Sequence, residues 1–493
     1  MLLPFARRSL LLAWALTLGG TTACRRELVG RPAPESDLYF PLGVVISQTD
    51  QRVAYVMSTN WSQRFNTGWL SVVDLDAIVS GAETPADVIR QTLLVPSLGG
   101  ELSVSDDGTL LAAAFRNNNQ VIVFEVSPDD GSIQCGDPDA ESGLDAGDRR
   151  TDCDARHVYR FVADGLDDGF IVDQFSDPYG VRFLPPRDGT QALMVGYLSS
   201  YLGIGLVTLL DVDVVSGGEI LGNQRSIELA TGGSGFTVQT SAIVAPRPAP
   251  GATDPRFVAI GSRSSAGGVS SATIFGINID DYVFKATEDT DFASVDFNNR
   301  AKIARIDIRS QAGGFTLADL VFTDDGNRAF AAVSFSQPTS GSSDSLLMLN
   351  ARPRSRDIVL ADDSIQVVQR PEYDVIDTLA VPGTPQSVSY VPRLNAPPLL
   401  VTATFNDNAL HFVRVGETSL DAITRLDRSV GLGPVVVRHA RFTPSGQSAE
   451  RDFVVVTSFL SHGISIFDVT DADPSLWQQW FVESALADGR RFR

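Results

Sequence analysis

Between residues 40 and 470 the apolar residues come in short runs rather than long ones. The runs are rich in Val, Ala, Leu, Phe and Thr. Many alternate with polar residues, and most stop at Gly, Asn, Asp or Pro. A period of two belongs to strands, and β-branched and aromatic residues suit a pleated, partly buried surface. The clearest stretch is 375–415, with runs at 375–381, 387–391, 399–405 and 409–415. Pro382-Gly383 and Asn406-Asp407-Asn408 supply its turns. It reads as one four-stranded antiparallel meander.

The same order of strand, Gly or Asn turn, Val/Ala-rich strand, polar loop and strand recurs along the chain. Units begin near residues 41, 102, 177, 241, 317, 375 and 435, and Asp107-Gly108, Asp325-Gly326 and Ser445-Gly446 mark hairpins inside three of them. Runs at 88–95, 170–175, 226–229, 302–308, 375–381 and 423–426 are expected as outer strands. Seven repeats of this kind predict an all-β chain, a seven-bladed β-propeller of four-stranded antiparallel blades. Residues 278–316 leave room for an eighth. Closure is expected from 477–482, which follows the last unit directly and has strand composition, with 38–40 as the alternative. Trp477 and Trp480 are then packing residues. The propeller is expected over 38–483, followed by a tail at 484–493.

Ala54-Tyr55-Val56-Met57-Ser58-Thr59-Asn60, followed by the LSVVDLD run at 70–76, resembles the YVTN-type repeat of seven-bladed propellers, which includes lactonase-like and surface-layer members. The likeness is strongest at 41–76, 102–126 and 385–415. It implies a site where the central channel opens, built from loops entering the first strands and loops joining second to third strands. Those loops carry Trp61, Arg64, Arg116, Asn118, Tyr179, Arg263, Asn406, Asn408 and His462, a mixture suited to polar or carbohydrate-like ligands. The lactonase-like branch further implies a His/Arg/Glu set on the rim. Glu101, Arg438 and His439 are its candidates. Because Arg438 and His439 are consecutive on a strand, one of them is expected to face the channel.

Composition narrows the partners. A net charge of −21 argues against nucleic acid. Only Lys285 and Lys302 are lysines, so the positive charge is nearly all Arg, as a GC-rich genome produces. No HExxH, His-x-His, GxSxG, Walker or GxGxxG pattern is present. Trp residues beyond the leader cluster at the two ends, unlike the repeated Trp of quinoprotein propellers.

Residues 1–23 read as an export signal: Arg7-Arg8, the apolar run 9–18, then small residues before Cys24. This resembles a bacterial lipoprotein signal with Cys24 as the lipidated residue, although Thr21 stands where Leu is usual. Residues 24–37 are then a tether, and the location is the cell envelope, on the outer membrane or a periplasmic face. In such a compartment Cys135 and Cys153 are expected to form a disulfide. They flank an acidic insert at 127–168. Within it Asp137, Asp139, Glu141, Asp145 and Asp148 have the alternate spacing that suits Ca²⁺, yet Ser142 and Asp148 replace the Gly and Glu of an EF-hand loop. A solvated acidic loop is the simpler reading, and no other cofactor is implied. The sequence therefore points to a lipid-anchored binding or scaffolding module, with an envelope protein or polysaccharide as partner. A channel-rim hydrolase and a surface adhesion protein are the alternatives.

Overall fold

The computed structural model describes residues 32–34, 36–136, 152–161, 177–186, 191–198, 205–214, 219–230, 236–244, 257–266, 269–278, 304–307, 315–335, 344–359, 363–427 and 430–484. They form seven antiparallel sheets of four or five strands, all but one built from consecutive strands, and one separate two-stranded hairpin. The first strands of the sheets are Pro41–Ile46, Gly99–Val104, Pro178–Phe183, Phe236–Val244, Phe315–Phe322, Pro385–Val391 and Pro434–Phe442. Each touches the next in chain order, and the last touches the first, so they ring a central axis. The molecule is a seven-bladed β-propeller.

The apolar runs are continuous because both faces of a blade are covered. In the second strand, Val53–Ser58, residues Val53, Tyr55 and Met57 pack toward the second blade, while Ala54 and Val56 pack toward the seventh. One such apolar cluster fills each of the seven junctions between neighbouring blades. Burying a large side chain on this scale contributes roughly 1.5–3 kcal/mol, so the junctions rather than the hairpins hold the ring together.

The ring closes as the sequence leads one to expect. Gln478–Glu483 pairs with Gly463–Asp468 and completes the seventh blade from the C-terminal side. Leu38 is buried in the cluster between the seventh and first blades without adding a strand. Cys135 and Cys153 are joined by a disulfide. Two short helices, Leu75–Val79 and Pro85–Val88, link the third and fourth strands of the first blade; Asp74 caps the former by accepting from the Ala77 amide.

Two expectations need correction. The stretch 375–415 is not one blade. Asp374–Ala380 pairs with Ser345–Asn350 as the outer strand of the fifth blade, and the sixth blade runs from Pro385 to Leu426. The boundary was hidden by an inserted hairpin, Pro353–Val359 with Ile365–Pro371, lying between the third and fourth strands of the fifth blade. In the second blade the outer position is shared by Ile133–Gln134 and Val158–Arg160, both paired with Gln120–Val126. The disulfide brings these two pieces of the acidic insert together, so 170–175 is not needed there; that run lies outside the described residues. Room for an eighth blade is not used: the described residues make seven.

Candidate functional site at the channel mouth

Every first strand carries a β-bulge, near the entering end in five of them and inside the strand in Phe236–Val244 and Phe315–Phe322. The register shifts between Pro41 and Gly43, Gly99 and Leu102, Pro178 and Gly180, Thr240 and Ala242, Leu317 and Asp319, Pro385 and Ser387, and Pro434 and Val436. A bulge leaves one residue without a partner and re-aims its side chain. Here the extra residues Leu42, Glu101, Tyr179, Ala318, Gln386 and Val435 all line one cavity of about 850 Å³ at the channel mouth. Before five of these strands the backbone turns through a positive φ, at Phe40 (50°), Leu98 (60°), Asp177 (62°), Thr384 (63°) and Gly433 (63°). Proline follows at four of them, where the lost N–H costs nothing at a strand entrance.

The second contribution comes from loops between second and third strands. Arg116–Asn119, Phe405–Asn408 and Phe459–His462 share one turn, whose last residue has a positive φ near 50° (Asn119 48°, Asn408 52°, His462 52°). That last residue is an inter-blade staple. Asn119 Oδ1 accepts from the Asp177 amide at 3.2 Å, Asn408 Oδ1 from the Gly433 amide at 2.7 Å, and His462 Nδ1 from the Phe40 amide at 2.9 Å. Each receiving residue starts the next blade's first strand. Asn408 and His462 are therefore structural rather than ligand-facing. His462 takes the Asn slot at the junction that closes the ring, stacked on Tyr39 at 4.7 Å.

The cavity wall is uneven. Blades six, seven and one contribute Phe405, Val435, Phe459, Leu42 and Trp61; Trp61 is 49% exposed and meets Phe459 edge-on at 6.0 Å. Blades two and three contribute Glu101, Arg116 and Tyr179. Arg116 Nε pairs with Asp177 Oδ1 at 3.2 Å. Farther along the strands lie Asp319 and Arg438. Asp319 Oδ2 accepts from Ser387 Oγ at 2.8 Å and the Val388 amide at 3.0 Å, while Arg438 Nη1 donates to the Val437 carbonyl at 2.8 Å and to Ser387 Oγ at 3.4 Å.

Glu101 dominates the electrostatics. It is half-buried in the cavity wall. Desolvation, reinforced by Asp319 and opposed by Arg438 and Arg182, pushes its carboxyl up to about 8. Glu101 is therefore mostly a neutral acid at pH 7. Burial, with Glu101 and Asp319 adding to it, also holds the Tyr179 phenol well above its ordinary range.

Of the sequence-expected residues, the fold gathers Trp61, Glu101, Arg116, Tyr179 and Arg438 in one place. It does not gather the others. Arg64 lies over the Phe65 ring at 5.9 Å. Asn118 is exposed at the tip of its turn. Asn406 Nδ2 donates to Thr384 Oγ1 at 2.6 Å. Arg263 is not in a loop: its strand extends over Phe257–Ala266, because the Ser/Arg/Ser/Ser segment continues the pairing with Phe236–Val244.

His439 is the other half of the Arg438 pair and turns from the cavity. Its Nε2 lies 3.0 Å from Asp452 Oδ1, and Asp452 also accepts from Arg441 Nε at 2.8 Å and the Leu394 amide at 2.9 Å. Asp452 is fully buried; these hydrogen bonds outweigh desolvation and hold its carboxyl below the usual carboxylate range. The trio Glu101, Arg438 and His439 is thus not assembled. Residues 137–150 and Cys24 lie outside the described residues, as does the Ca²⁺ candidate set Asp137, Asp139, Glu141, Asp145 and Asp148. Among the described residues no cluster of three or more His, Cys, Asp or Glu is placed to hold a metal.

Asp319, Leu42, Gln386, Val435, Phe405 and Phe459 escaped sequence reasoning. A signal for several existed: the entrances Phe40-Pro41-Leu42-Gly43-Val44, Asp177-Pro178-Tyr179-Gly180-Val181, Thr384-Pro385-Gln386-Ser387-Val388 and Gly433-Pro434-Val435-Val436-Val437 repeat one pattern, with the bulged residue directly after Pro.

No protein-family profile and no curated protein sequence matches the chain. Solved structures are similar in shape at low identity. The Chaetomium thermophilum Sqt1 structure bound to the N-terminus of ribosomal protein L10 has a TM-score of 0.47 at 10% identity, covering 92% of this chain and 90% of that one. The Pseudomonas aeruginosa periplasmic gluconolactonase PpgL gives 0.44 at 12%, covering 90% and 96%. A putative 6-phosphogluconolactonase from Bacteroides fragilis gives 0.43 at 13%, covering 80% and 86%. Likeness at this level transfers no residue and no activity; the blade count comes from this chain's own sheets.

Proposed function

We propose that the protein is a binding module whose small-molecule site is the channel mouth, exported and carried on a membrane surface by a lipid on Cys24. The cavity supports the binding reading. It has the size of a small-ligand site, and it brings an aromatic platform, two Arg and a neutral acid to one wall system. An envelope protein or polysaccharide docking over the mouth is the scaffolding form of the same reading. Export and anchoring rest on residues 1–24 alone.

Two measurements test this. A thermal-shift screen of small acids, sugars and amides should raise the melting temperature with some members. Trp61→Ala should abolish those shifts while leaving the unliganded melt unchanged; shifts that survive it would move the site elsewhere. For anchoring, Cys24→Ser or globomycin should block processing and release the protein from membranes. Unaltered processing and partitioning would exclude the lipid.

A channel-rim hydrolase is the second reading, favoured by one observation: a carboxyl kept neutral beside Arg438 is a competent proton donor. On this reading Glu101→Gln removes turnover and leaves binding in place.

A further inference from the structure

We propose that the channel-mouth face is the face turned to the membrane, with Trp61 and Leu460 resting in the headgroup layer of the bilayer that the Cys24 lipid enters. The proposal rests on the reading of Cys24 as a lipid anchor and adds which surface of the propeller meets the lipid.

The place where the chain leaves the ring is the first argument. The described residues between Ala33 and Phe40 cross the mouth end of the first blade. Ala33 packs with Tyr39, Phe65 and Trp69, as does Leu94 from the blade's outer strand, Ile89–Val95. Trp69 Nε1 donates to the Asp37 carbonyl at 2.8 Å, Tyr39 Oη lies 2.8 Å from Ser62 Oγ, and the Phe40 amide reaches His462. Ser62 and His462 belong to the second-to-third loops that also carry Trp61 and Leu460. The chain toward Cys24 therefore departs from the mouth face. Cys24 lies nine residues before Ala33, a span of at most about 30 Å. The first blade's strands have six or seven residues, a length of about 20 Å. Bringing the opposite end to the lipid would use most of the span along the side of that blade.

Charge is the second argument. The chain carries −21, and among the described residues that charge is unevenly placed. In the second-to-third loops of blades one, two, six and seven, every exposed residue is uncharged. Trp61 and Leu460 are two of them, at 49% and 43% exposure. The charged residues of these loops are half-buried: Arg64 over the Phe65 ring, Arg116 paired with Asp177, and Asp407 paired with Arg425, which also holds Asp427. The first-to-second and third-to-fourth turns lie at the opposite end and expose Asp106, Asp107, Asp324, Asp325, Asp471 and Asp473. Anionic headgroups repel such carboxylates, an effect that reaches about 8 Å at physiological salt. Contact through the far end is thus opposed, and contact through the mouth is not. Trp suits the headgroup layer because its ring is apolar and its N–H polar. Leu460 follows the Phe459 ring that Trp61 meets, and it gains by leaving water.

The test uses the acylated full-length protein in phosphatidylethanolamine/phosphatidylglycerol vesicles that contain a lipid with a nitroxide on its headgroup, a short-range quencher. An NBD label is placed on Asn118→Cys at the mouth or on Ser448→Cys at the far end, both exposed positions. Cys135 and Cys153 form the disulfide and Cys24 carries the lipid, so the added thiol alone takes the label. The expected result is quenching at least twofold greater at position 118 than at 448. Replacing Trp61→Ser and Leu460→Ser together should remove at least half of that difference. Asn66→Cys and Ala472→Cys form a second pair of exposed positions, used where a label lowers the melting temperature. Equal quenching at the two ends, or greater quenching at 448, would overturn the proposal. So would a difference untouched by the double serine variant. Mass spectrometry and co-sedimentation with vesicles read the anchor separately. Acylated, vesicle-bound protein quenched equally at both ends keeps the anchor and loses the orientation alone. Unacylated protein that stays in the supernatant removes both.

Discussion

Two side chains show how much one residue decides here. Glu101 sits at a bulge, so it points at the axis instead of alternating away from it. Its raised titration has a consequence for stability, with a definite sign. Below its ordinary value, near 4.5, Glu101 is protonated in both folded and unfolded chains and contributes nothing. Between there and about 8 the unfolded chain has lost the proton while the folded chain still holds it, so stability falls as pH rises. Since water enters the cavity, the cost at pH 7 is taken as about 1–3 kcal/mol rather than the full shift at about 1.4 kcal/mol per unit. Glu101→Gln should remove this component, giving a flatter curve of melting temperature between pH 5 and pH 8. His462 is the second case. An amide N–H can only donate, so Nδ1 accepts, and Asn does the same at the equivalent positions 119 and 408. His462→Asn should retain most of the stability, whereas His462→Ala should lose about 1 kcal/mol or somewhat more, measured by urea unfolding. Equal losses for both would remove the staple.

Among the elements, the inserted hairpin stands apart. Pro353–Val359 and Ile365–Pro371 pair only with each other, and Val359, Ile365 and Val367 are 58%, 69% and 64% exposed. An isolated two-stranded hairpin contributes little stability of its own. Asn350 and Asp374 are paired across the strands it separates, so a short turn bridges the gap it would leave. Replacing residues 354–370 by a Gly/Ser turn should leave the melting temperature within a few degrees. A large drop would show that the hairpin supports the fifth blade.

The hairpin also explains why the sequence misled at 375–415, because it separated the fifth blade's outer strand from its own sheet. Strands were legible where both faces are buried, as in Leu110–Phe115, and turns where Gly takes a positive φ, as at Gly108, Gly326 and Gly446. The bulges were not, since one extra residue leaves composition and period nearly unchanged. That is why Tyr179 and Glu101 were found as rim residues while their counterparts Leu42, Gln386 and Val435 were passed over. It is also why nothing in the run PVVVRHARF at 434–442 told which of Arg438 and His439 faces inward: the bulge at Val435 resets the alternation.

At the scale of the whole molecule, the seven junctions are chemically alike but differ in connection. Six are crossed by the chain. The one between the seventh and first blades is crossed by packing alone: the apolar cluster around Leu38, Phe453 and Val482, the Gln51 side chain accepting from the Arg441 amide at 2.6 Å, and Asp76 accepting from the Ser445 amide at 2.8 Å. Among the described residues, no strand from the N-terminal side is woven into the last sheet. One histidine stands at both ends of this seam: the Phe40 amide donates to its ring and the Ser484 amide to its carbonyl at 3.2 Å. Phe40 and Ser484 are therefore neighbours, and every blade comes from one stretch of chain, the fifth with its inserted hairpin. Such a molecule has no obligatory first residue. Joining 484 to 36 by a short linker and opening the chain between Asp427 and Val430 gives a circular permutant that begins with the seventh blade. It should fold to the same ring and keep the ligand behaviour of the parent, because the break opens one junction while the linker closes another, so six junctions are still crossed by the chain. A permutant that fails to refold after denaturation would instead mean that the first blade must form before the last.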